Sequence, residues 1–129
     1  MDSQVHLDPE VLVRELKQAL RHGCRASRLL RYAPALVDLI VTPDGQPPVG
    51  RAHAAEQTLK DACATYEGDW GEAMLCLLGL APGTHGTHLK VRRRQAADLL
   101  EVPVETFRRH HEHQVLWDLA VVVAIFRNP

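Results

Sequence analysis

The sequence predicts an all-α protein, a single helical domain of six or seven helices with a C-terminal helix-turn-helix (tri-helical) unit. Three observations lead there. Apolar residues recur at three- and four-residue spacing through most of the 129 residues. The one β-branched cluster, Val121 to Val123, lies among helical neighbours, so no convincing strand stands out. From about Leu89 to Glu112, two short apolar-periodic segments flank a compact turn.

The elements follow in chain order. Asp8 can cap a first helix, Pro9 suits its first position, Glu10 complements the positive end of the dipole, and Gly23 can end it. Val11, Leu12, Leu16, Ala19 and Leu20 form its inward stripe. Ser27 to Val41 is helical in pattern through Leu29, Leu30, Leu36, Val37 and Ile40, but Pro34 must break or bend it, giving two short helices or one bent one. Thr42 to Gly50 (TPDGQPPVG) is a loop. A third helix is expected from about Arg51 to Tyr66, with Ala52, Ala55, Leu59, Ala62 and Cys63 inward. Gly68 and Asp69 stop it and cap a fourth, about Trp70 to Leu78, before a second loop from Ala81 to His88. Residues 1–79 are thus an N-terminal helical half and 89–127 a helix-turn-helix half of one domain spanning 1–129.

Composition narrows the function classes. The hydrophobic fraction of 46% and charged fraction of 24% are those of a globular chain. A net charge of −1 argues against binding nucleic acid through bulk charge, and 5% aromatics leaves few stacking platforms for single strands. Cys24, Cys63 and Cys76 are odd in number and far apart, which fits a reduced compartment and core packing better than disulfides or zinc. There is no signal-peptide pattern, and the longest apolar run, Leu119 to Phe126, falls far short of the roughly 20 residues a membrane span needs. A cytoplasmic protein with no membrane association is expected.

Within the C-terminal half, Gln95 to Leu100 reads as one short helix, Glu101-Val102-Pro103 as a turn, and Val104 to His110 as the opening of a second helix. Two short helices crossing steeply need a small residue at the contact, Ala97, and fillers for the wedge, Leu100, Val102 and Phe107. Glu105, Thr106, Arg108, Arg109 and Glu112 then point outward.

The stretch from about Leu77 to Ala120 resembles bacterial helix-turn-helix domains of the form AAxLLGVSxxTFRRxxE, and is especially similar to actinobacterial segments. In those, LGLxPGT, a basic RRR-like run, AA and TFRR follow in order. Here they are Leu78-Gly79-Leu80-Ala81-Pro82-Gly83-Thr84, Arg92-Arg93-Arg94, Ala96-Ala97 and Thr106-Phe107-Arg108-Arg109. Two positions depart from the pattern. Glu101 stands where the family carries Gly for a positive φ, and Pro103 where it carries a Ser cap, which implies an altered turn.

The resemblance implies a DNA-binding transcriptional regulator or accessory factor, with the second helix in the major groove. Arg108, Arg109 and Thr106 are then the readers, and Lys90, Arg92, Arg93 and Arg94, just before the first helix, the phosphate anchors. From Lys90 to His113 six Lys/Arg face four acids, a net of +2, whereas residues 1–89 carry eight basic and eleven acidic side chains, a net of −3. So slight a charge calls for a dimer or a DNA-binding partner. The rival reading is an adaptor that binds a protein partner through the tri-helical unit or the last helix, for example in a bacterial signalling or defence system.

The last helix offers a broad apolar face, with Leu116, Leu119, Val123 and Phe126 as a candidate partner or homodimer seam, or simply as core. Eight histidines invite a metal, but His85-Gly86-Thr87-His88 and His110-His111-Glu112-His113 lack ligand spacing, and no metal site or cofactor is expected. Clustered histidines can make binding pH-sensitive near the ordinary imidazole value of about 6.5. With no nucleophile–base pair, phosphate-cradling glycine loop or paired carboxylates, no enzyme and no small-molecule substrate are expected.

Overall fold

The fold is that of a computed structural model, which describes residues 7–127. Among the described residues the regular structure is entirely helical. The elements are α1 (Pro9–Leu20), α2 (Ala26–Tyr32), α3 (Pro34–Ile40), α4 (Pro48–Ala64), α5 (Asp69–Leu78) and α6 (Leu89–Leu99). A seventh rod follows, made of a first turn α7 (Val104–Thr106), a wider π turn (Phe107–His111) and α8 (Glu112–Arg127). Backbone angles stay helical at Thr106, Phe107 and Glu112, so these three segments run on as one.

Local chemistry explains most of the boundaries. The Asp8 carboxylate accepts the Glu10 amide at 2.9 Å and starts α1. The inward stripe of α1 contains Val13 rather than Val11, which is half-buried. Pro34 is the first residue of α3, and Ala33 (φ −139°, ψ 50°) makes the break, so the 27–41 stretch is two short helices. Leu30 lies on the outer side of α2, 38% exposed, and not in the core. α4 begins earlier than expected, at Pro48, and buries the five expected inward residues. The residue before α5 is Gly68, not Asp69, which belongs to the helix's first turn. At the other end, Gly79 (φ 77°) closes α5 through the Leu80 amide to the Leu75 carbonyl at 2.8 Å, a left-handed stop that favours Gly.

One hydrophobic core draws on all seven rods. α8 runs through it against α1, α3, α4 and α5, while α5 packs along α6. Leu116, Leu119 and Val123 are fully buried there, so the expected partner seam is interior packing; Phe126 alone of the four is exposed, at 44%. The reason is that α8 is apolar nearly all round and α1, α3, α4 and α5 pack against it. Gly71 permits the approach of α5 to the end of α4: a Cβ there would lie 2.8 Å from the Cys63 carbonyl oxygen in α4 and 2.0 Å from that of Tyr66 just beyond it. Asp118 ties α8 to the same region, accepting Trp70 Nε1 at 3.0 Å through its carboxylate and Tyr66 Oη at 3.0 Å through its carbonyl. Among the described residues no helix is long and apolar enough to cross a membrane.

Candidate functional site

α6 ends in a left-handed turn built on Glu101. The Val102 amide bonds the Ala97 carbonyl and the Glu101 amide the Asp98 carbonyl, both at 3.1 Å, with Glu101 at φ 58°. This is the same stop that Gly79 makes, here adopted by a residue with a Cβ. The turn therefore keeps the positive φ despite its Glu. Pro103 then leads into α7 with no side-chain cap. Ala97 is buried at the crossing, Phe107 is fully buried in the wedge, and Leu100 and Val102 pack half-buried against them.

The π turn sets what faces out. The Glu112 amide donates to the Phe107 carbonyl, five residues back. In a plain α-helix, residues five apart lie about 140° apart around the axis. The wide turn lets both Phe107 and Glu112 face inward and leaves Arg108, Arg109 and His110 exposed in succession. Glu112, expected outward, is buried and receives Arg93: Nε to Oε1 at 2.7 Å and Nη2 to Oε2 at 3.1 Å.

The expected basic anchors divide sharply. The basic run lies within α6, not ahead of it. Lys90 and Arg94 are exposed, whereas Arg93 is committed to Glu112. Arg92 is 1% exposed and cannot meet DNA. Its Nη2 donates to the Leu20 carbonyl at 2.5 Å, Nη1 to Leu77 at 2.6 Å and Nε to Thr87 at 3.3 Å. Leu20 ends α1 and Leu77 lies in the last turn of α5, so one guanidinium serves the negative ends of two helices. Burial pulls the Arg92 pKa down, opposed by Cys24 and reinforced by Arg93. Burial in turn pushes the Cys24 thiol up to about 12 against the pull of Arg92, with Glu56 adding to the rise.

Of the residues expected to contact DNA, Lys90, Arg94, Arg108 and Arg109 are exposed and Thr106 is half-buried. Asp98, Glu101 and Glu105 are exposed in the same corner, and Glu105 lies 3.7 Å from Arg108. Among the described residues no group of three or more His, Cys, Asp or Glu converges as metal ligands. Sequence reasoning missed a second basic assembly, in which Arg21, Arg25 and Arg28 line one cleft with Arg92. The signal was present only as arginines near the end of one helix and the start of the next; their approach to α6 depends on tertiary packing. No protein-family model matches the chain, and comparison with curated proteins and with solved structures returns no match.

Proposed function

We propose that the chain is a non-enzymatic helix-turn-helix protein, of the bacterial type its TFRR segment resembles, that docks on duplex DNA and acts in transcription. The observation that supports this is the outward run of Arg108, Arg109 and His110 over a fully buried Phe107, at the start of the rod that follows the turn. In this reading Arg108 and Arg109 meet base edges or phosphates in the major groove, Thr106 contacts the backbone or a base, and Lys90 and Arg94 hold phosphates. Arg92 and Arg93 serve the fold. A homodimer supplies the second half-site that so small a charge requires.

Fluorescence anisotropy against duplex DNA between 50 and 200 mM salt tests the proposal. Four phosphate contacts per chain, eight in the dimer, give a slope of about −7 in log affinity against log salt, roughly a ten-thousandfold loss across that range. The double variant Arg108→Ala/Arg109→Ala removes four contacts from the dimer and lowers the slope by about four. No binding at low ionic strength, or equal binding by the double variant, rejects the DNA reading.

A second reading rests on Ile125 and Phe126, 60% and 44% exposed at the end of α8. Two adjacent large apolar side chains on the surface suit a protein partner or a second copy of the chain. Failure of DNA binding, together with a self-association lost in Ile125→Ser/Phe126→Ser, favours this adaptor role.

A further inference from the structure

A cleft of about 220 Å³ opens between the end of α1, the start of α2 and the loop leading into α6. Arg92, Gly79 and Thr84 form its buried floor. Arg21, Arg28, His85 and His88 stand exposed around it, with Arg25 and His22 half-buried between. No Asp or Glu lines it. In a chain with a net charge of −1, Arg21, Arg25 and Arg28 therefore converge over Arg92, whose own guanidinium is spent on three carbonyls, and Glu56, outside the lining, is the acid that acts on Arg25.

The nearby acid is already engaged. Glu56 on α4 accepts the Ala26 amide at 2.6 Å and pairs with Lys60 at 2.9 Å. Burial pushes its carboxyl up, but Lys60, the Ala26 amide and Arg25 outweigh that and hold it below the ordinary value. Arg25 keeps spare capacity: Nη2 reaches the Ala81 carbonyl only at 3.5 Å, and its buried Nε has no hydrogen-bond partner. His22 is held flat against Tyr32, ring centroids 3.8 Å apart, so its edge is oriented in advance. His88 stands immediately before α6, whose first turn carries no acid, so the positive end of that helix adds to the field.

We propose that this cleft binds a phosphate group, of the size of phosphate or pyrophosphate. Guanidinium forks match the oxygens of a phosphate two at a time, and imidazoles can donate beside them. The volume is below the roughly 300–1,000 Å³ of sites for drug-sized ligands, which excludes burying a whole nucleotide. Like charges crowded together raise the energy of the empty fold, so an anion that joins them stabilises it. The proposal is independent of the DNA reading, since Arg108 and Arg109 are not among the lining residues.

Thermal unfolding and calorimetric titration of the full chain with sodium pyrophosphate and with orthophosphate, at ionic strength matched with sodium chloride, test it. The expected result is a saturable rise in Tm of roughly 10 °C at a hundredfold excess over Kd. Arg25→Gln/Arg28→Gln weakens binding by tenfold or more, whereas Arg108→Ala/Arg109→Ala leaves it within twofold. A Tm that follows ionic strength alone overturns the proposal, as does equal binding by the Arg25/Arg28 variant. Duplex DNA added as competitor assigns the source of the group. Displacement makes it a backbone phosphate, retention makes it a small ligand, and either result upholds the cleft as the site.

Discussion

Arg92→Met separates a structural arginine from a DNA anchor. The substitution keeps most of the apolar stem and removes three donors, leaving the buried carbonyls of Leu20 and Leu77 without the bonds now at 2.5 and 2.6 Å. A hydrogen bond to a charged group contributes about 1.5–3 kcal/mol net, so the two short ones are worth about 3–6 kcal/mol. The third, at 3.3 Å, adds little. Against this stands relief from burying a charge, the first cause of the lowered Arg92 pKa, which places the net loss at the lower end of that range. A net loss of about 3 kcal/mol is expected, out of a total stability of about 5–15 kcal/mol for a domain. Urea unfolding followed by circular dichroism reads this directly. With a slope of about 2 kcal/mol per molar, the midpoint falls by about 1.5 M. A shift below about 0.5 M means that the carbonyls find other partners and that the two-helix clasp is not what holds Arg92 inside. Unchanged stability together with loss of DNA binding would restore the surface reading of this residue.

The remaining predictions concern single contacts. Glu101→Gly should stabilise by about 0.5–1 kcal/mol in the same assay, because release from the left-handed cost of about 1–2 kcal/mol exceeds the entropy Gly gains when unfolded; destabilisation would mean the Glu side chain contributes a favourable contact. Gly71→Ala should cost about 2 kcal/mol or more despite better helix propensity, since its Cβ would lie 2.0 Å from a backbone oxygen; a neutral result would show that α4 and α5 can part freely. A double-mutant cycle with Arg93→Met and Glu112→Gln should give a coupling of about 1–2 kcal/mol, and one under about 0.3 kcal/mol would rule out a tie between α6 and α8. Cys24 and Cys63, both held near 12 by burial, ionise from 9.0 only when unfolded. Their raised folded pKa values contribute stability that is full below pH 9 and lost as pH rises toward 12, at about 1.4 kcal/mol per unit per thiol. Urea midpoints between pH 8 and 10.5 should fall less steeply in Cys24→Ala than in the parent; parallel lines would contradict the assignment.

What was legible in the sequence was whatever local chemistry decides. Asp8-Pro9 started a helix, Pro34 split one, and the alanine stripe of α4 faced inward, since each outcome depends on neighbours within a turn or two. The corner was legible too, because Ala97 and Phe107 lie ten residues apart and the turn between them is short. Arg92 was misjudged because its partners are distant: Leu77 is 15 residues away and Leu20 is 72. A run of three arginines looks uniformly solvated until the carbonyls that one of them serves come into place. Glu112 went wrong for another reason. The 3.6-residue period does not carry through a turn that holds one residue more, so Glu112 comes round to the side that Phe107 occupies. Leu116, Leu119 and Val123 showed an apolar face clearly, but periodicity alone cannot say whether a face meets the same chain or another.

That wide turn at Phe107–His111 also acts as a length adjuster. A helix normally cannot gain or lose a residue without rotating everything beyond the change by about 100°. Here one surplus residue is already absorbed, with Phe107 and Glu112 as fixed posts on either side. Removing a single residue from Arg108-Arg109-His110 would close the bulge into ordinary helix while both posts stay inward. The same deletion between Glu112 and Leu116 would turn the buried residues that follow it toward water. The outward stretch is thus a part of this rod whose length, and not only its side chains, can vary without disturbing the core.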